Sequence, residues 1–255
     1  MSDEAPYKRI TVDIVIPVYN EQAAIERSVN ELRGYLEEHL PYQWTIVVAD
    51  NASTDRTLEI AQRLAEQDSH VRVVHLDKKG RGRALREAWM SSDADVVSYM
   101  DVDLSTNLKS FLPLIAPIIT GHSDVAIGSR LLKSAVVQRQ FKREIISRVY
   151  NLMITLLFHN RFSDAQCGFK ALSRKAAREL LPGVENQSWF FDTELLLFAE
   201  ERGMRIYEVP VQWVEDLDSR VNITKTALED VKGLLRVRKQ RLSRRFGARE
   251  HQPVS

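Results

Sequence analysis

Asp101-Val102-Asp103 closes the apolar run Val96-Val97-Ser98-Tyr99-Met100. Two carboxylates one residue apart, just past a buried strand, stand where an open α/β sheet binds its ligands. Aspartates there carry a desolvation cost unless a cation meets them. A hard divalent ion with oxygen ligands, itself holding a diphosphate, answers that need. Two solvated acids in a loop is the plainer alternative. Two other strand ends carry complementary groups: Pro17-Val18-Tyr19-Asn20-Glu21 after the first, and Asp50-Asn51 after the second. An aspartate that accepts from a base or ribose hydroxyl, a tyrosine that stacks and a metal for the diphosphate would together suit a nucleotide. Gly80 and Gly82 allow close backbone approach, and Lys79 and Arg81 add positive charge.

The elements that must position these groups alternate. Strands are expected over 12–16, 45–49, 71–76, 96–100 and 125–127, with a late strand or edge segment over 209–214. Helices are expected over 21–39, from the 50–55 loop through 67, and from Gly82 to near Ser92. Such βαβα order needs crossover connections, and hence a mainly parallel, Rossmann-like sheet covered by helices on both faces. All three strand ends then lie along one edge. No G-x-G-x-x-G opens the first helix and no G-x-x-x-x-G-K-[ST] loop is present, which argues against a dinucleotide dehydrogenase and a P-loop ATPase.

The chain has 255 residues, 44% hydrophobic and 28% charged, ordinary for a soluble globular protein. A single cysteine, Cys167, excludes an internal disulfide. No signal peptide is expected in the polar start Met1-Ser2-Asp3-Glu4-Ala5-Pro6, and no apolar run reaches the roughly 20 residues that span a bilayer. The net charge of +1 conceals segregation: residues 232–255 hold eight Lys or Arg against Glu250, and residues 130–148 hold six against Glu144. Segregated positive charge implies an anionic partner, whether nucleic acid, phosphorylated ligand or membrane surface. No helix-turn-helix, zinc-finger or aromatic-basic sheet signature supports nucleic acid.

Ile16-Pro17-Val18-Tyr19-Asn20-Glu21, the Val48–Asp55 segment, Asp101-Val102-Asp103, Gly128-Ser129-Arg130 and the Asp164–Lys170 segment, in that order, resemble family 2 glycosyltransferases of the GT-A fold. Within these they are most similar to the dolichol-phosphate mannosyltransferase and polyprenyl-phosphate glycosyltransferase branch. The resemblance implies a nucleotide-diphosphate sugar donor of the GDP-mannose or UDP-glucose type, inversion at the anomeric carbon, and Mg²⁺ or Mn²⁺ at Asp101 and Asp103. It assigns the donor to Pro17, Tyr19, Glu21, Asp50, Asn51, Lys79, Gly80, Asp101, Val102 and Arg220. Ser105 stands where some relatives place a third metal contact, and Asp216–Val221 is similar to a substrate-closing loop. The acceptor phosphate of a polyprenyl lipid falls to Arg130, Arg143, Ser147 and Arg148, residue types that meet a phosphate with charge-assisted bonds.

A phosphate acceptor is already anionic and needs no base. Catalysis would then rest on metal, positioning, Asp103, Arg130 and Arg143. A sugar hydroxyl would need one, and Asp192 is the candidate, with a helix N-cap as its plainer role. Trp189, Phe190 and Phe191 are expected in the core rather than as a sugar-stacking platform. A nucleotidyltransferase, which would carry a Gly-rich loop after its first strand, and a non-enzymatic binder of anionic surfaces or nucleic acid are the other readings. Residues 145–158 form a short apolar run with Arg148, Asn151 and Thr155 as one polar stripe, as in a helix lying at an interface. With a basic amphipathic helix in 232–249, this gives two weak membrane anchors. The expected organisation is a flexible start (1–9), a GT-A domain (10–231) and a basic tail (232–255). The expected location is peripheral, on the cytoplasmic membrane face, with room for a separately encoded membrane partner.

Overall fold

The computed structural model describes residues 10–215 and 223–247, with side chains for all of these but 223–225 and 244–247. The 1–9 segment, Arg220 with its 216–221 loop, and residues 248–255 of the basic tail lie outside the described residues. Seven strands form the main sheet in the order β3-β2-β1-β4-β7-β5-β8. They are β1 (Thr11–Val18), β2 (Gln43–Asn51), β3 (Val71–Leu76), β4 (Val96–Met100), β5 (Val125–Ser129), β7 (Phe169–Ser173) and β8 (Ile206–Pro210). All pairings are parallel except those of β7, which runs antiparallel between β4 and β5. A small second sheet pairs β6 (Val136–Gln138) with β9 (Gln212–Val214).

Helices cover both faces, because strands apolar on both sides must be shielded on both. One face packs α1 (Ile25–His39), α2 (Thr57–Gln67) and α4 (Phe111–Ile119). The other packs α3 (Arg81–Met90), α5 (Phe141–Phe158), α6 (Arg174–Leu180), α7 (Phe191–Glu201) and α8 (Ile223–Gly247). The expected strands are all present, and the 209–214 segment divides into β8 and β9. Val211 is the pivot, donating to the Ser129 carbonyl and accepting from the Val136 amide. The first helix starts at Ile25 rather than Glu21, since the Glu21 carbonyl instead closes a turn onto the Ala24 and Ile25 amides at 3.0 Å.

β7 was not anticipated: Lys170 interrupts an otherwise apolar Phe169–Ser173, yet it is fully buried in the sheet. The expected interfacial helix begins four residues early, at Phe141, and is oriented against the usual rule. Ser147, Tyr150, Asn151 and Ile154 face the core, where Asn151 accepts the Ala165 amide at 2.9 Å. Phe141, Ile145, Val149, Leu152 and Leu156, spaced three and four apart, are exposed by 45–79%. Residues at that spacing share one helix face. α8 repeats this pattern: Asp230, Leu234 and Val237 are buried while Leu228, Val231, Leu235 and Leu242 are not. The boundary expected at 231/232 falls inside this continuous helix.

Candidate active site

Parallel register brings the ends of β1, β2 and β4 to one edge, with Val18 beside Asp50 and Val15 beside Tyr99. The loop after each end holds a non-glycine residue with positive φ: Asn20 at 56°, Ala52 at 59° and Leu104 at 51°. Strained backbone of this kind concentrates at functional sites. The 78–82 segment ties the three ends together. The Gly80 amide donates to Asn51 Oδ1 (2.5 Å), Lys79 Nζ stands 3.3 Å from the centroid of the Tyr19 ring, and Arg81 reaches Asp101.

Asp50 is fully buried at the end of β2. Its Oδ2 faces His75 Nδ1 at 2.7 Å, and its Oδ1 has no hydrogen-bond partner among the described residues. A buried carboxylate oxygen left open is a strong acceptor waiting for a donor, as a nucleobase N–H or ribose hydroxyl would supply. Pro17 and Val102 are half-buried walls of the same edge, and the Glu21 amide is fixed by Thr57 Oγ1 at 2.8 Å. The residues expected at the donor, Arg220 apart, therefore stand along one edge of the sheet.

From that edge runs a chain of alternating charge. Arg81, with a side chain only 10% exposed, donates to Asp101 Oδ1 (2.7 Å) and Asp192 Oδ2 (2.6 Å). Tyr99 and Trp189 lie on its guanidinium with ring centroids at 4.9 and 5.0 Å. Asp192 also accepts from Tyr99 Oη and pairs with Lys170 Nζ at 2.9 Å. Lys170 in turn donates to the Cys167 carbonyl at 2.7 Å. Burial alone would raise the Asp192 carboxyl, but Lys170 and Arg81 outweigh it and hold the group below its ordinary value. Its expected role as a helix N-cap is not what the structure shows. Phe190 occupies the cap position of α7, and the Asp192 side chain turns into the charge chain instead. Nor is Trp189 in the core; it is 37% exposed, while Phe190 and Phe191 are buried as expected.

Asp101 and Asp103 stand together past the end of β4, Asp101 Oδ1 held by Arg81 at 2.7 Å, and paired carboxylates are the oxygen donors that Mg²⁺ takes together with substrate phosphates. Among the described residues no three His, Cys, Asp or Glu side chains converge to hold an ion by themselves. Asp101 is backed by Gly168, where a Cβ would stand 1.8 Å from its Oδ2, so any side chain at 168 would push the Asp101 carboxylate from its place. Asp103 Oδ1 accepts the Ser105 amide (3.0 Å), which shapes the turn, while Ser105 Oγ is buried with no hydrogen-bond partner among the described residues.

The four residues expected at an acceptor phosphate lie near the start of α5, but three are engaged by different carboxylates. Arg130 forks onto Asp164 at 2.8 and 2.9 Å, Arg143 pairs with Glu215 at 2.8 Å, and the exposed Arg148 pairs with Glu144 at 2.6 Å. Ser147 is buried and its Oγ finds no hydrogen-bond partner among the described residues. The Cys167 thiol, pushed by burial up to about 12, has no nucleophilic character at neutral pH.

α8 closes this side, with Asp230 Oδ2 accepting from Gln166 Nε2 at 2.7 Å. Burial, with Glu229 and Asp192 adding repulsion, pushes Asp230 up to about 7. The folded value exceeds the unfolded one, so between the ordinary aspartate range and about 7 the folded state holds a proton that the unfolded chain releases. Stability falls as pH rises through that window. Asp230→Asn is therefore expected to melt above wild type at pH 8, with the difference closing toward pH 4. Thermal melts at both pH values check this, and a gap that widens on acidification would refute it.

Lys170, Tyr99 and His75 were given no role from sequence, and Arg81 was expected only as positive charge beside the glycines, not as the link between Asp101 and Asp192. A lysine inside an apolar strand is the signal that could have found Lys170.

A family model described as Glycosyl transferase family 2 matches residues 13–181. The glycosyltransferase AglD of Haloferax volcanii is 38% identical over 221 residues, 86% of this chain and 35% of AglD. The chain thus spans about a third of that relative's length. The dolichyl-phosphate beta-glucosyltransferase of Mus musculus is 30% identical over 253 residues, 92% of this chain and 76% of the mouse protein. Glucosyl-3-phosphoglycerate synthase from Mycobacterium tuberculosis, solved in complex with UDP, superposes with a TM-score of 0.68 at 22% identity, covering 90% of this chain and 80% of that one. The last is a likeness of fold.

Proposed function

The chain belongs to glycosyl transferase family 2, and from that premise we propose that it moves glucose from UDP-glucose to the phosphate of a polyprenyl phosphate. One observation carries the reading. Asp192, the candidate base for a hydroxyl acceptor, is saturated by Arg81, Lys170 and Tyr99 and held ionised below its ordinary value. So engaged, it is a poor proton acceptor, which suits a nucleophile that arrives already anionic. The names of the relatives point the same way and favour glucose over mannose.

In this reading Asp50 accepts from the nucleoside, Tyr19 and Lys79 flank it, and Arg81 stands beside Asp101 facing the sugar diphosphate. A phosphate oxygen of the lipid attacks the anomeric carbon from the face opposite the leaving group. The new C–O bond forms as the bond to the UDP β-phosphate breaks, which inverts the centre and releases UDP. Asp101 and Asp103 would hold Mg²⁺ or Mn²⁺, which when bound offsets the charge on the departing diphosphate.

The membrane is the proposed platform, at its cytoplasmic leaflet. No described helix is long and apolar enough to cross it. The exposed apolar stripes of α5 and α8 would lie in the interface, and the exposed Lys232, Arg238 and Lys239 of α8 would face anionic headgroups, while Arg236 and Arg241 are held by Glu185, Glu194 and Glu201.

One experiment addresses both points. With UDP-[¹⁴C]glucose and anionic liposomes carrying polyprenyl phosphate, label is expected in the organic phase and protein in the floated vesicle fraction at low salt. Label that stays aqueous on a glycan would replace the phosphate acceptor with a hydroxyl. Protein that stays at the bottom of the gradient would remove the anchoring.

A further inference from the structure

Four guanidiniums at the start of α5 share three carboxylates. Arg130, Arg143 and Arg148 each have a short ion pair, to Asp164, Glu215 and Glu144 respectively. Arg139 is the one left over. Its contact to Glu144 is long, 3.3 Å, and the other oxygen of that carboxylate is taken by Arg148 at 2.6 Å. The Arg139 Nε is buried with no hydrogen-bond partner among the described residues. Arg130 and Arg139 both stand 5.4 Å from the Trp213 ring centroid, each with a side chain 9% exposed. Burial, and then the nearness of Arg130, lower the Arg139 pKa from its ordinary value. Arg130 is compensated by its fork onto Asp164, whereas Arg139 has only the long Glu144 contact, so a further anion at this indole is favoured beside Arg139. The place is also telling. Arg139 lies between β6 and α5, and Phe141, two residues on and 79% exposed, begins the apolar stripe of α5.

We propose that Arg139, seated with Arg130 on Trp213, is a binding residue for the phosphate of the lipid acceptor, whose chain then runs along Phe141, Ile145, Val149 and Leu152. This rests on the polyprenyl-phosphate reading above and adds a residue to it: the guanidinium with the least internal compensation is the one that meets the ligand.

The test measures KM for polyprenyl phosphate and for UDP-glucose separately, together with the thermal shift given by farnesyl phosphate and by farnesol. Wild type should be stabilised by farnesyl phosphate and not by farnesol. Arg139→Gln should raise the KM for polyprenyl phosphate about ten- to a hundred-fold, the range for losing one charge-assisted hydrogen bond. Its KM for UDP-glucose should stay within about two-fold, and its farnesyl phosphate shift should vanish. Arg139→Lys should recover part of both. Arg178→Gln, which removes an exposed arginine paired with Asp93 on the surface, controls for net charge. Arg139→Gln with an unchanged lipid KM, or with both KM values and the melting temperature degraded alike, overturns the assignment and leaves the phosphate acceptor standing. A wild type that neither binds farnesyl phosphate nor labels polyprenyl phosphate overturns the acceptor reading, and this assignment with it.

Discussion

Asp103→Ala is expected to lower glucosyl transfer by about a hundred- to a thousand-fold, the range for removing one preorganised electrostatic contact to a departing group. The melting temperature should stay near wild type. Asp103 is half-buried, and its Oδ1 accepts the Ser105 amide of a short turn. Asp101→Ala should lose as much activity and also some stability, about 1–3 kcal/mol, because Arg81 then keeps one carboxylate instead of two. The two substitutions thus separate the site from the frame that holds it. Steady-state transfer with added Mn²⁺ and thermal melts of each variant make the comparison. Full activity of Asp103→Ala in chelator-treated buffer would sink the proposed metal role.

That separation marks what the sequence could and could not disclose. The ends of β1, β2 and β4 were legible because apolar strands alternating with helices leave few topologies. In a parallel sheet, residues at the ends of adjacent strands must converge. Asp50, Asn51, Tyr19 and Asp101 followed from that rule alone. Lys170 did not follow, since a lysine disguises a strand whose burial is explained only by Asp192, twenty-two residues later. The cap reading of Asp192 failed for a related reason. An acid near a helix start carries the same local signal whether it caps the amides or turns inward to Arg81 and Lys170. The arginines of 130–148 could be counted but not paired, because Asp164 and Glu215 approach from distant segments. The helix and its apolar run were legible in α5, but the inward direction of Asn151 was not. That depends on the Ala165 amide.

Asp192→Asn is expected to destabilise the fold by about 3–5 kcal/mol, the usual loss when one member of a buried charge pair is removed. In a domain of this size that corresponds to a fall of roughly 6–20 °C in melting temperature. Arg81 would keep Asp101, so the exposed deficit is at Lys170. Its remaining contacts, the Cys167 carbonyl and Tyr99 Oη at 3.3 Å, carry no formal charge. The pH dependence follows from the depressed value of Asp192. Its contribution is fully present above the unfolded aspartate range and disappears as pH falls through the folded value. The gap between wild type and Asp192→Asn should therefore hold at pH 5–8 and close only in strong acid. Removing the stranded cation as well restores the balance, so Asp192→Asn with Lys170→Met should recover much of the lost stability, a coupling that a double-mutant cycle reads directly. Activity of that stable double variant then decides the chemistry. With a phosphate nucleophile it retains transfer within about ten-fold, because no proton needs to be taken. If it is stable yet slower by about 10²–10⁴-fold, the usual contribution of a general base, Asp192 is that base and the acceptor is a hydroxyl.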